Sequence, residues 1–192
     1  MRTTRAAFAV VVVLGNAATA MAQNNPEPTA FPGPVSSVKS PASAARVYYT
    51  DPGPDADGIH KYKLMFRDAK GHETLLDSFI RSVEIQWSPS GTQLFVNDYI
   101  GSNIADCLIV QATVEPLKPV SLQDLVVKSP GRPSAPETPD QSHYAALCKR
   151  WVTDTRLAGS VSGHVDGGRD AHAFDHPLVY DLGSDRVLWQ QP

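Results

Sequence analysis

The chain of 192 residues lacks most of the features that mark enzymes, nucleic-acid-binding proteins and membrane proteins. It has no Gly-x-Ser-x-Gly or His-Glu-x-x-His motif and no phosphate-binding glycine-rich loop before a lysine, so we predict no catalytic residues. The net charge is −3 and the chain contains no run of lysine or arginine. Both observations argue against nucleic acid as a partner. After the first 22 residues no apolar stretch is long enough to cross a bilayer.

The first 22 residues have the layout of a secretory signal peptide. Arg2 and Arg5 provide a positive start, and the apolar run Ala6–Leu14 follows. The small residues of Ala20-Met21-Ala22 precede an expected cleavage before Gln23. The alternatives, an N-terminal anchor or a core helix, fit the short apolar run and its flanks less well. We therefore expect a periplasmic or secreted protein without stable membrane insertion.

Cysteine is rare, with Cys107 and Cys148 as the only two. An oxidising compartment favours a disulfide between them. The alternative is a pair of buried, unlinked thiols. The absence of a Cys-x-x-Cys pair argues against a redox role.

Proline-rich segments divide the rest of the chain. Residues 23–45 are rich in proline, serine and alanine, and we predict a disordered leader there. Four prolines within residues 129–140 predict an exposed loop. Between and around these segments we expect a single globular β-rich domain over residues 46–190.

Alternation with a period of two dominates this domain. Tyr62, Leu64 and Phe66 alternate with charged residues, as in a half-buried strand. The turn Ser88-Pro89-Ser90-Gly91 has the residue order of a type I turn. We predict a mainly β or α+β fold with an antiparallel blade-like sheet, in which strands cover 60–67, 73–80, 83–87, 93–97, 106–112, 157–165, 178–182 and 187–189.

Two short helices are expected beside the strands. Ser121 and Asp124 have the spacing of a capping box before an apolar stretch. In the second segment, apolar residues recur at i, i+3, i+4, i+7 and i+8, which is the spacing of a helix with one apolar face. That pattern consists of Tyr144, Leu147, Cys148, Trp151 and Val152.

Two segments resemble hairpins of β-propeller blades of the TolB or WD40-like kind. The segment Val83–Val96 contains a tryptophan, Ser-Pro and a glycine before a strand, as inner hairpins of such blades do. The segment Tyr180–Val187 resembles an outer hairpin. The resemblance implies a module that binds proteins or peptides, although an ordinary hairpin would show the same Ser-Pro-x-Gly turn. A complete propeller is not expected, because four blades of about 40 residues would barely fit.

The densest group of polar side chains lies between residues 163 and 176. His164, Asp166, His172 and His176 are residue types that ligate zinc or another divalent cation, and they would converge if their strands paired suitably. The alternative is a solvated glycine-rich hairpin loop. Apart from this possible metal, no cofactor is predicted.

The segment 97–103 follows a strand and places an aromatic side chain among polar ones. Asp98, Tyr99 and Asn103 are therefore candidate partner contacts, since tyrosine provides contact area at low entropic cost. The sequence as a whole predicts an exported, non-enzymatic binding or inhibitor-like protein whose partner is an envelope or extracellular protein or peptide. The alternative is a metal-dependent hydrolase that uses the segment 164–176.

Overall fold

The computed structural model describes residues 26–131, Pro133, residues 142–165 and residues 172–190. The predicted signal peptide and most of the predicted loop 129–140 lie outside these residues. The elements in chain order are β1 (Thr29–Phe31), β2 (Ser37–Lys39), β3 (Arg46–Thr50), β4 (Tyr62–Arg67), β5 (Glu73–Phe79), β6 (Ser82–Trp87), β7 (Gln93–Tyr99), β8 (Asp106–Gln111), β9 (Val120–Ser121), α1 (Leu122–Lys128), β10 (Ser142–Thr153), β11 (Arg156–Val165), β12 (His172–Asp181) and β13 (Arg186–Trp189).

The strands form three antiparallel sheets. The first sheet has the order β2-β3-β4-β5, the second sheet β1-β6-β7-β8-β9, and the third sheet β10-β11-β12-β13. Three four-stranded meanders therefore follow one another along the chain, and β1 is added to the edge of the second. The fold is mainly β, as predicted, and the described residues form no closed barrel and no complete propeller.

The second sheet lies between two apolar clusters, which explains its nearly continuous apolar strands. Leu94, Phe95 and Val96 of β7 are all fully buried, because alternate residues face opposite clusters. The cluster shared with the first sheet contains Phe31, Val47, Leu64, Phe66, Phe79, Val83, Ile85, Leu94 and Val96. The cluster shared with α1 and the third sheet contains Phe95, Ile109, Leu122, Val126, Tyr144, Trp151, Leu157, Val161 and Leu178.

The predicted turn between β6 and β7 is confirmed. The Gly91 N–H donates to the Ser88 carbonyl at 2.8 Å, and Gly91 has a φ of +67°. A Cβ atom at Gly91 would lie 2.3 Å from Ser40 Oγ, whose hydroxyl donates to the Gly91 carbonyl. Glycine is therefore required both by the backbone conformation and by the close approach of the first sheet.

The first predicted helix is confirmed as α1, and it is capped as expected. Ser121 Oγ accepts a hydrogen bond from the Asp124 N–H at 3.1 Å, which satisfies one of the unpaired donors of the first turn. The same hydroxyl donates to Asp106 Oδ2 at 2.5 Å. The cap therefore also fixes α1 against β8. No helix among the described residues is long and apolar enough to cross a membrane.

The second predicted helix is wrong, because residues 142–153 form the strand β10. Tyr144, Ala146 and Cys148 alternate towards the core, and a register irregularity between Cys148 and Arg150 then brings Trp151 to the same face. A bulge thus adds one residue to a period of two. The resulting spacing of buried residues imitates that of an apolar helix face.

The prediction of a disordered leader over residues 23–45 is wrong for its described part. Thr29–Phe31 pairs with β6, and Ser37–Lys39 pairs with β3. Phe31 is completely buried, so one aromatic side chain and a few ladder hydrogen bonds hold a segment of low apolar content.

The predicted disulfide between Cys107 and Cys148 is present, with a Cα–Cα distance of 5.8 Å. It joins β8 of the second sheet to β10 of the third. Cys148 reaches it from a strand, and not from a helix as the sequence had indicated.

Candidate functional site

The loop between β7 and β8 lies against the edge of the third sheet. A turn closed by the Gly101 N–H and the Ile104 carbonyl shapes this loop. Ala105 then forms a parallel bridge with Ala145 of β10, with hydrogen bonds from Ala105 N to Tyr144 O and from Ala146 N to Ala105 O. The bridge brings residues 101–104 beside the third sheet.

A cleft of about 360 Å³ lies between this loop and the β10–β11 hairpin. Tyr99 and Asn103 line it, and so does His164 from β11. The structure therefore brings two predicted partner contacts together with one predicted metal ligand. The lining residues are Tyr99, Gly101, Ser102, Asn103, Ile104, Ala105, Ala145, Leu147, Ser162, Gly163 and His164.

The hydroxyl of Tyr99 is held in place by the carboxylate of Glu84 on the neighbouring strand β6. Its hydroxyl donates to Glu84 Oε2 at 2.7 Å, and Asn97 Nδ2 lies 3.4 Å from the same oxygen. Burial and the Glu84 carboxylate raise the pKa of Tyr99 well above its usual value. The hydroxyl therefore keeps its proton at physiological pH, so Tyr99 is suited to contact and not to proton transfer.

Asp98 does not share the cleft with Tyr99 and Asn103. The strand β7 extends through Tyr99, so consecutive residues alternate and Asp98 faces the first sheet. It lies directly across the ladder from Asp106. Burial is the main cause that raises the pKa of Asp98 to about 6, and the charges of Asp77 and Asp106 contribute to the same increase.

This raised pKa predicts that the protein loses stability as the pH increases from about 4 to about 6. The folded state holds a proton on Asp98 that the unfolded chain has already released, so ionisation at higher pH penalises only the folded state. We expect Asp98→Asn to stabilise the protein by about 1 kcal/mol at pH 7.5 and to have little effect at pH 4, a modest value because the side chain is only partly buried. Urea unfolding at both pH values measures this difference.

Asp57→Asn removes the same charge from an exposed position and serves as the matched control. It should change the free energy of unfolding by less than about 0.5 kcal/mol at either pH. Equal effects of Asp98→Asn at pH 4 and pH 7.5 would contradict the assignment to Asp98.

The predicted metal ligands of the segment 164–176 are not brought together where they are described. His164 and His176 occupy opposite faces of the third sheet. His176 pairs with Val161 of β11 and therefore shares its face. His164 lies an odd number of positions, three, from Val161 on the same strand, so its side chain is on the other face. His176 stacks on Phe174 with ring centroids 5.7 Å apart, whereas His164 lines the cleft. Asp166 and the side chain of His172 lie outside what the structure describes.

Three other metal-type ligands converge elsewhere among the described residues. Asp68, His72 and Glu115 each offer a ligand atom, and these atoms lie within 4.8 Å of one another. No sequence signal pointed to this group, because Glu115 lies 43 positions after His72 and only the packing of the first and second sheets brings them together.

Two buried carboxamides were also missed from the sequence. Asn97 bonds to the backbone of Cys148 through both its side-chain oxygen and its nitrogen, at 2.9 Å each. Gln86 Oε1 accepts from the Trp151 N–H at 3.3 Å. In a simple period-two pattern these positions would face solvent, but here they face the third sheet.

A second cleft, of about 480 Å³, lies where β1 and β6 meet β2. Its lining is mostly apolar and includes Val38, Ile85 and Trp87. The Trp87 indole donates to the Val38 carbonyl at 3.3 Å and contacts Phe66, so this tryptophan joins the first and second sheets.

No protein-family model and no curated protein matches the chain. A solved structure of the AtxE2 isopeptidase without ligand is similar over 82% of this chain, at 11% identity and a TM-score of 0.44. The chain spans 29% of that protein's length. A similarity this distant supports no conclusion about the activity of the present chain.

Proposed function

We propose that the protein is exported and binds a protein or peptide outside the cytoplasm through the cleft between residues 99–105 and the β10–β11 hairpin. The observation that carries the proposal is the meeting of Tyr99, Asn103 and His164 in one cleft. The volume of about 360 Å³ falls in the range of small ligand sites, and the cleft suits a side chain or a short peptide segment.

The composition of the loop favours a protein partner. Tyrosine, serine, glycine and asparagine combine contact area with adaptable hydrogen bonding, and these types are enriched in the binding loops of antibodies. Ile100 and Ile104 are each 47% exposed at either end of the turn, so apolar surface borders the polar groups. Protein interfaces combine apolar contact area with a smaller number of direct hydrogen bonds, so exposed isoleucines beside polar groups suit a protein partner.

The surroundings of Tyr99 favour binding over catalysis. Its hydroxyl is occupied by Glu84 and keeps its proton, so it does not serve as a base or a nucleophile. The ring is fixed in one orientation and presents a preformed contact, which lowers the entropic cost of binding.

Export is supported by the disulfide between Cys107 and Cys148, since such bonds persist in oxidising compartments. The periplasm and the extracellular space are both of this kind. The acidic net charge argues against anionic partners such as nucleic acid.

Site-specific photo-crosslinking tests the proposal. A photoreactive residue replacing exposed Ser102 should give a discrete adduct with an envelope or extracellular protein in cells that export the chain. The matched control carries the same residue at Thr153, which is exposed at the far end of β10, and should give none. Ile104→Lys in the Ser102 background should reduce the adduct at least about tenfold, because it puts a charge on the bordering apolar surface.

Equal adducts from both positions, or none from Ser102, would contradict the proposal. An Ile104→Lys variant that gives as much adduct as the Ser102 variant with Ile104 intact would also contradict it. The melting temperature of the variant should match that of the parent, because Ile104 is half exposed.

A further inference from the structure

The turn between β4 and β5 presents a carboxylate and an imidazole side by side. Asp68 Oδ1 accepts hydrogen bonds from the Lys70 and His72 N–H groups, at 2.8 Å each. These two bonds fix the carboxylate and leave Asp68 Oδ2 beside His72 Nδ1 at 3.0 Å. The turn therefore preorganises one oxygen and one nitrogen ligand atom.

A third ligand atom comes from the loop between β8 and β9 of the second sheet. Glu115 brings a carboxylate oxygen within 4.8 Å of the ligand atoms of both Asp68 and His72. No hydrogen bond or ion pair ties the Glu115 carboxylate to another residue in the described part of the chain. It is therefore available to turn towards an ion.

The three side chains line one cleft of about 290 Å³. Phe66, Ala112 and Leu117 form an apolar wall beside them. The cleft has room for an ion and for the waters that would complete its coordination. The side chain of Asp68 is only 15% exposed, whereas that of His72 is 72% exposed. The Asp68 carboxylate is therefore held by its surroundings, while the His72 ring has room to reorient towards an ion.

We propose that Asp68, His72 and Glu115 bind a divalent transition-metal ion of the zinc type, which links the first sheet to the second. One imidazole nitrogen and two carboxylate oxygens are a donor set suited to zinc, whereas magnesium and calcium prefer oxygen donors alone. Binding through Nδ1 requires that any proton shared between His72 and Asp68 leaves to solvent. This site is separate from the proposed partner cleft.

The chain contains an internal comparison for this site. His60 forms a similar exposed contact with Asp51 in the loop between β3 and β4. No third ligand joins that pair among the described residues, since the one convergent group found there is Asp68, His72 and Glu115. A histidine–aspartate pair alone should bind an ion far more weakly than the set of three.

Zinc titration calorimetry on the full exported chain tests the proposal. We expect one equivalent of zinc to bind and the melting temperature to increase, because the ion binds only the folded arrangement. His72→Gln and Glu115→Gln should each weaken binding at least about tenfold, since the loss of even an outer-shell partner costs about 10- to 100-fold. His60→Gln is the control and should leave the affinity unchanged.

Several results would overturn the site. These are no zinc binding at all, unchanged affinity in both the His72 and Glu115 variants, or an equal loss in the His60 control. Magnesium or calcium binding as tightly as zinc would also exclude the assigned donor set. Both variants replace exposed side chains, and their melting temperatures without metal should match that of the wild type, which separates lost binding from lost folding.

Discussion

Replacing Asn97 with leucine is expected to lower the free energy of unfolding by about 3 kcal/mol. Asn97 is 2% exposed, and its carboxamide bonds to both the N–H and the carbonyl of Cys148, at 2.9 Å each. Leucine is close in size but can make neither bond. Two buried backbone groups of β10 would remain unpaired, and each such group costs about 1–3 kcal/mol.

The position of Cys148 explains why no other partner is available. β10 is an edge strand of the third sheet, so the backbone groups on its outer side have no neighbouring strand from that sheet. Asn97 supplies the partner that a further strand would provide, and Gln86 does so for the Trp151 N–H. The two carboxamides thus replace a strand pairing between the second and third sheets.

Urea unfolding at constant pH measures the effect. Gln111→Ala removes an exposed carboxamide from the neighbouring strand β8 and should change stability by less than about 0.5 kcal/mol. A loss below about 1 kcal/mol for Asn97→Leu would mean that water or a rearranged side chain satisfies Cys148, and that the carboxamide is not essential. Asn97→Asp is expected to destabilise as well, because a carboxylate would face the Cys148 carbonyl and lie near Glu84.

Strands β4 to β7 were predictable because the alternation of their residues follows a local rule. Leu64 and Phe66 are buried as their alternation predicted, and the turn at Gly91 follows from Ser-Pro-x-Gly. The cap at Ser121 is likewise local. Patterns of this kind depend on residues fewer than six positions apart, so they can be interpreted without knowledge of the fold.

The error at β10 has a different origin. A bulge near Lys149 shifts the alternation of buried and exposed residues by one position. Over such a short segment, the resulting spacing of apolar residues is the same as that of an apolar helix face. The leader was missed for a related reason, since composition does not show that Phe31 has a place in a core formed by later strands. Both features are fixed by pairing with another strand, β11 for the bulge and β6 for Phe31.

The candidate cleft was predictable only in its parts. Tyr99 and Asn103 were selected as an aromatic and an amide in a loop, and His164 as a metal ligand. Their convergence depends on the bridge between Ala105 and Ala145, two residues that carry no distinctive chemistry. The same limit explains why Glu115 was not associated with His72: contacts between sheets leave no local signal in one sequence.

Replacing both cysteines with alanine is expected to lower the free energy of unfolding by about 3–4 kcal/mol. The bond between Cys107 and Cys148 closes a loop across a sequence separation of 41, which on the chain-entropy model stabilises by about 4 kcal/mol. Both sulfur atoms lie in the cluster between the second and third sheets, so the alanines also leave small cavities there. The double variant avoids the unpaired thiol that a single replacement would create.

Urea unfolding of the exported wild type, with and without reductant, provides the measurement. Reductant should destabilise the wild type by a similar amount and should leave the double variant unchanged, which is the internal control. Without the cross-link the unfolded chain is more expanded, so the dependence of stability on urea should become steeper. An unchanged midpoint in a wild type whose mass shows two reduced thiols would mean that packing of the two sheets, and not the covalent bond, holds β8 and β10 together.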